Sequence, residues 1–512
     1  MTANNPQYVR PAVTLHHHRE LAQWCMYVQL FLLLFFTGVL FTAADSEQFA
    51  ILCGLVAIIG SLAPVVYGLV SKHIPVLFTA LAGLNIAPIW FLQLELVLPG
   101  HDAYEYIAAA YRIESCWWTA LFLLLVNGLC TGWQMPVMRT ASRTLSYLGD
   151  TKLTGQHAYY LTLFSFIFPM LAFLAFYGSP NTLWTAISGG RSGGGSAGGL
   201  LMDNGESSFA ALMLPVSWLF QLTPLFGMIT MVNCRDKWNH HVVVSAILSV
   251  LTVFIYFLGG SRGITIYVAA PLIIGFVYFN WGKGLKFWAT IFVLYAVLVG
   301  AMELQVRFRG NLLEVLADPD AAAKRIGLES ATTIDLTSSH RDNNTYLFCL
   351  ILRGYPDKYE YQGFNDFYAI LVNPIPRAFW PSKPLLIGAK DLSQQDGFVF
   401  DGPLVMYTTS LSYSVVGEAY KARGFWGLVV YALPYALFIS FFDAMVIFVN
   451  RQKGVVVGLI SLTAFCAFWG MRSFFAFITF LYPLFLALLM LWVYSKWIGY
   501  REGGRLAKEI ES

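Results

Sequence analysis

The chain has 512 residues, of which 57% are apolar and 12% charged, with a formal net charge of +3 and a mean hydropathy of +0.61. A water-soluble domain carries about 25% charged residues. This composition excludes a cytosolic enzyme or a nucleic-acid-binding protein and points to a chain that crosses a membrane many times.

In chain order, a polar stretch with His16, His17 and His18 comes first and reads as a hydrated cytoplasmic tail. The first apolar run follows it without a small-residue cleavage site, so it reads as a retained span rather than a signal peptide. Apolar runs long enough to cross the hydrocarbon core then recur. Each is expected to be helical, because no water is there to satisfy the backbone. The expected spans are 22–43, 49–70, 74–98, 115–138, 157–178, 209–232, 241–259, 263–281, 285–304, 424–449, 454–470 and 473–495. The fold class is therefore an all-α polytopic membrane protein of about a dozen helices. It divides into a bundle over 1–304, a large loop over 305–423 and a C-terminal bundle with tail over 424–512.

The connections alternate in charge. One set carries Lys72; Arg139, Arg143 and Lys152; Arg235 and Lys237; Lys283 and Lys286; Arg451 and Lys453; and it includes both termini, with Arg10, Arg19, Lys496 and Arg501. The other set carries Asp45 and Glu47; then Asp102, Glu105 and Glu114 with one Arg112; then Asp203 and Glu206 with one Arg191. Positive loops stay cytoplasmic, which puts both termini inside and the large loop outside. Two outside turns break the pattern, each with a lone arginine: Arg262 in the GGSRG turn at 259–263 and Arg472 in the GMRS turn at 470–473. The glycine-rich stretch at 188–199 lacks the GKS or GKT of a phosphate loop and reads as a linker. The seven cysteines are scattered, odd in number and form no CxxC, so they read as small core residues rather than disulfides or metal ligands.

Residues 307–423 hold 12 of the 32 Lys and Arg. This asymmetry marks the loop as the place for chemistry. It contains the polar string SSHRDNNT at 338–345 with His340 and Arg341, and a tyrosine-rich stretch, RGYPDKYEYQG, at 353–363. Next comes NPIPRAFWPSKP at 373–384, where four prolines hold the backbone non-helical. That rigid segment presents Arg377, Trp380 and Lys383, a set suited to a diphosphate, since guanidinium binds phosphate bidentately and ammonium acts as a compact charge. The last string, GEAYKARGFWG at 417–427, carries Glu418, Tyr420, Lys421 and Arg423. Glu418 and Lys421 are three apart and share a helix face. Glu418 reads either as one half of a surface pair or as a general base at the membrane edge. Gly424 and Gly427 allow close packing into the next span. The D-x-D spacing at Asp318 and Asp320 reads as a turn or helix start.

SRG at 261–263, IPRAFWPSKP at 375–384 and GEAYKARGFWG at 417–427 occur in this order, alongside one large outside loop. Together they resemble the bacterial O-antigen polymerase, or oligosaccharide repeat-unit polymerase, family. The resemblance lies mostly in the second half of the chain. It implies a fold similar to the C-type membrane glycosyltransferases, which work without a metal or other cofactor. It implies repeat units carried on undecaprenyl pyrophosphate, transfer of the growing surface polysaccharide to the non-reducing end of a new lipid-linked unit, and a chain-length regulator as partner. The related O-antigen ligases usually carry a loop histidine in an HxxxL-like pattern. His340 is the loop's one histidine and its context, HRDNN, does not match, which favours the polymerase.

The expected roles follow from charge. Arg262 and Arg377, with Arg472 or Arg423, stabilise the departing diphosphate, and arginine acts electrostatically because it keeps its proton. Glu418 takes the acceptor proton, with His340 or Asp342 as alternatives. Arg341, Trp380, Lys383 and Tyr420 contact the substrate. A carrier of lipid-linked sugar is the main rival class, marked by repeat symmetry and interrupted helices around a midplane site. Asp443 is the clearest deep acid, and a buried charge there needs a partner.

Overall fold

The computed structural model describes residues 15–150, 153–188, 208–234, 239–259, 262–280, 344–372, 412–448 and 454–511, with single positions between 289 and 301 and between 375 and 384. All regular structure among them is helical. Eight helices are long and apolar enough to cross a membrane, and the pair Glu47–Ser61 and Ala63–Val70, bent by 40°, makes a ninth if it is one span. Two shorter apolar helices, Arg262–Tyr278 and Gly454–Gly470, fall where spans 263–281 and 454–470 are expected. The expected span 285–304 lies largely outside the described residues.

Local sequence explains many of the helix ends. Ser46, Thr154 and Asn239 each accept a backbone N–H of the first turn with a side-chain oxygen, starting helices Glu47–Ser61, Gly155–Tyr177 and His240–Leu258. Gly178 ends helix Gly155–Tyr177 with φ 74°, a left-handed value that glycine adopts without cost. The bend after Ser61 comes where Pro64 cannot donate to the preceding turn.

Helix Gly454–Gly470 is buried almost all round and forms the centre of the larger core. Helix Ala109–Asp150 runs along both Leu15–Ala43 and Ser414–Phe448. By contrast, Leu15–Ala43 leaves Phe31 63%, Leu34 68% and Phe41 86% exposed. Water disfavours apolar surface of this extent, and lipid accepts it.

Residues 80–97 form a strut through the bundle. The helix Ala80–Pro88 passes through a π-helical turn, Ile89–Gln93, into Leu94–Val97. At its start, Asp443 accepts the backbone N–H groups of Ala80 at 2.7 Å and Leu81 at 3.2 Å, and also meets His18 Nε2 at 2.7 Å. His18 and Asp443 are both fully buried. The expected hydrated tail is therefore corrected at His18, which helix Leu15–Ala43 turns inward to this carboxylate. Further along, Asn85 and Asn127 exchange side-chain amide bonds at 3.1 and 2.9 Å, and Gln93 donates to Ser61 at 2.8 Å. Near the far end, Glu95 accepts the backbone N–H groups of Asn344 at 3.1 Å and Thr345 at 2.9 Å. The two capping sites are thus separated by 15 residues of helix, about 22 Å at the α-helical rise.

All seven cysteines are free thiols, and six of them are buried. Arg112 is fully buried, pairs with Glu47 and lies 5.4 Å from the Tyr104 ring.

Candidate functional site

The site is built at the Glu95 end of the strut, around the turn between helices Gly454–Gly470 and Phe474–Glu511. The turn is closed by Met471 N–H to Phe468 O at 3.3 Å and Arg472 N–H to Trp469 O at 3.0 Å. Segment 412–418 lies across it. Val415 N–H donates to Met471 O at 3.1 Å, and the Ser412 hydroxyl donates to Arg472 O. Glu418 accepts the Phe474 N–H at 2.8 Å. The carboxylate therefore caps the first turn of the last helix from another chain segment, where the helix dipole favours negative charge.

One expected arginine lies in this turn, and another starts a helix that packs against it. The Arg472 guanidinium stands 5.9 Å from the centre of the Trp469 ring. Arg262 begins helix Arg262–Asn280, whose second residue, Gly263, sits against the same ring: a methyl there would lie 2.8 Å from Trp469 Cζ2. Both arginines are half-buried, as is Glu418. Guanidinium groups beside a helix N-terminus can hold a polyanion, and the Glu418 carboxylate bonded to the first residue of that helix can accept a proton.

The GEAY helix breaks where its glycines fall. Arg423 leaves the helical region and Gly424 takes φ 53°. Gly427 passes so close to the preceding turn that a methyl there would lie 1.7 Å from Ala419 O. The carbonyls of Lys421 and Ala422 are taken up by Gln362 N–H at 3.1 Å and Gly363 N–H at 3.0 Å. The span proper then starts after the break, and 414–422 is a separate helix above it.

Lys421 is 2% exposed. Its ammonium donates to the Tyr413 hydroxyl at 3.2 Å and lies 3.9 Å from Asp366. Of the two readings of Glu418, the surface pair with Lys421 is not what forms: Lys421 is buried against Tyr413 and Asp366, and Glu418 bonds the Phe474 N–H. Burial, helped by the Glu418 and Asp366 carboxylates, holds the Tyr413 hydroxyl well above the ordinary tyrosine range, so it stays protonated.

Helix Asn365–Val372 packs against the start of the last helix. Phe367 stacks on Phe474 at 4.7 Å with the rings 6° from parallel. Trp380 returns to this helix, edge-on to Tyr368 at 6.4 Å, with its indole N–H on Ser382 Oγ at 3.1 Å. Arg377 and Lys383, like Arg341 and His340, lie outside the described residues.

Two other expected contacts are placed elsewhere. Tyr420 is 6% exposed, gives its hydroxyl to Tyr355 O at 3.1 Å and packs edge-on to Trp118 at 4.8 Å. It is a packing residue in this structure rather than an open sugar platform. Arg423 is exposed beside Phe425 and Trp426, which are exposed too. That trio has the character of an interfacial belt. Asp366, Tyr413 and Trp469 were not singled out by sequence reasoning. The partner of Asp366 lies on a distant segment, and the roles of Tyr413 and Trp469 depend on which of their faces is covered, which no local spacing signals.

Among the described residues, no group of three or more His, Cys, Asp or Glu side chains is arranged to hold a metal ion. Comparison with protein-family models, curated proteins and solved structures gives no match to this chain.

Proposed function

We propose that this chain is a glycosyltransferase of the bacterial plasma membrane that polymerises oligosaccharide repeat units carried on undecaprenyl pyrophosphate. Both termini are cytoplasmic in this reading, and the Trp469 turn faces the outside. The observation that supports it is that the turn carrying Arg472 is capped by Glu418 and packed, through Trp469, against the helix that Arg262 begins, three segments far apart in sequence.

The chemistry follows from the surroundings. Outside the cytoplasm no nucleotide-activated sugar is expected, so the driving force comes from the lipid diphosphate. As the glycosyl–oxygen bond to the diphosphate breaks, negative charge builds on the leaving oxygens. Arg262 and Arg472 stabilise it, joined by Arg377 from the string that helix Asn365–Val372 leads into. The acceptor hydroxyl attacks the anomeric carbon and gives its proton to Glu418. Tyr413 and Lys421 provide fixed neutral and positive groups beside that carboxylate. No metal step is needed, and no cofactor is invoked.

A carrier for lipid-linked sugar is the second reading. The bent pair at Ser61–Ala63 and the π-helical turn at Ile89–Gln93 favour it, as interrupted helices do in transporters. Against it, the buried acids Asp443 and Glu95 both bond backbone N–H groups at helix starts, a structural use of each.

The deciding experiment is reconstitution in proteoliposomes with purified lipid-linked repeat units, without nucleotide or added metal. A ladder of polymer is expected. Movement of unpolymerised units across the bilayer without a ladder sinks the transferase and supports the carrier.

A further inference from the structure

We propose that the Trp469 indole is a spacer that fixes the separation of the Arg262 and Arg472 guanidinium groups, making Trp469 and Gly263 positioning residues. The proposal rests on the reading of this turn as the diphosphate site.

Trp469 is 5% exposed and cannot turn. Phe465 stacks on it at 5.4 Å with an interplanar angle of 13°, and Phe91 meets it edge-on at 5.2 Å. Phe91 belongs to the π-helical turn, so the strut through the bundle supports the ring from below. A π turn offsets the side chains that follow it relative to a regular helix.

Each arginine is referenced to this ring. Arg472 follows it by three residues through the closed turn, and its guanidinium stands 5.9 Å from the ring centre. Arg262 precedes Gly263, whose missing methyl would lie 2.8, 2.9 and 3.0 Å from Cζ2, Cε2 and Nε1 of the indole. Three nearly equal distances to consecutive atoms place the glycine along the Nε1–Cε2–Cζ2 side of the indole rather than against a single atom. A side chain at 263 would lift the whole start of helix Arg262–Asn280, and Arg262 with it. Glycine is the poorest helix former after proline. It is tolerated here because contact with the indole requires it.

The test uses the full-length protein with Cys234 replaced by serine, because Cys234 is the one cysteine that is not buried. Cysteines at 262 and 472 carry spin labels in one set of samples, and the native arginines are kept in a second set for turnover. Gly263→Ala, Trp469→Phe and the double variant are compared in both. Gly263→Ala should lengthen the label separation and lower turnover by about a hundredfold, the scale expected for a misplacement near 1 Å. The smaller phenyl ring makes room for the methyl, so Gly263→Ala/Trp469→Phe should return the separation toward wild type and regain at least tenfold of the lost rate. An unchanged separation in Gly263→Ala overturns the spacer. So does a double variant no better than Gly263→Ala in either set while both run monodisperse. If the separations follow the expected pattern but the wild type makes no polymer, the spacer stands and the polymerase reading falls.

Discussion

The two ends of the strut 80–97 use the same device to opposite effect. At one end Asp443 meets two backbone N–H groups and His18, with both side chains fully sealed. Beside the other end, past the Glu95 cap, Glu418 meets one backbone N–H and is half-buried, with half-buried Arg472 in the turn it caps and half-buried Arg262 starting the helix packed on Trp469. The first arrangement uses up its charge in closing a helix. The second closes a helix with a carboxylate that is only half-buried, which is what the proposed diphosphate site requires. A buried acid is therefore not by itself a functional mark in this molecule. What separates the two ends is how much capacity remains after the backbone is satisfied.

The largest effect should come from breaking the sealed end. Asp443→Ala removes the carboxylate that meets His18 and two backbone N–H groups and should lower stability by about 3–5 kcal/mol, the range for removing one member of a buried pair. Thermal unfolding in detergent measures this. A variant as stable as wild type yet inactive would erase the contrast between the ends. Next, Arg262→Ala and Arg472→Ala should each lower polymer turnover about a hundredfold, near 3 kcal/mol in the transition state, with little change in melting temperature. Normal ladders from both variants would remove the site from this turn.

Glu418 sharpens the comparison, since it serves both roles. Glu418→Gln keeps an oxygen for the Phe474 N–H and should unfold like wild type while turning over about a hundredfold more slowly. Glu418→Ala should lose about 1–2 kcal/mol of stability as well, the cost of a missing cap. Equal turnover in Gln and wild type would make the residue a cap and nothing more. The smallest effect is expected midway along the strut, where Asn85→Ala should cost about 0.6–1.7 kcal/mol, as for other hydrogen bonds between membrane helices.

Much of the helix pattern is legible in the sequence because hydropathy over a long run depends on composition alone. The break at Arg423–Gly424 is legible for a similar reason: Gly424 and Gly427 are the residues that a tight entry requires. The caps are not legible. Glu418 and Phe474 are 56 residues apart, and Asp443 and Ala80 are 363 apart, so no spacing rule links them. His18 misleads because three adjacent histidines look like a wet tail, and only the phase of the helix decides which one turns inward. Lys421 misleads for the same reason. Its i, i+3 relation to Glu418 is real, but the helix is covered on that face, and Asp366 arrives from the loop to meet it.

The strut also bears on how the chain is made. Ala80 and Leu81 wait for an acid at position 443, and Glu95 waits for donors at positions 344 and 345. As the ribosome releases the chain, this segment enters the lipid with both of its polar termini unfinished. The early helices therefore form a provisional assembly, completed only when the last third of translation delivers the missing pieces. A fragment that stops before the loop should be inserted but remain open to membrane quality-control proteases.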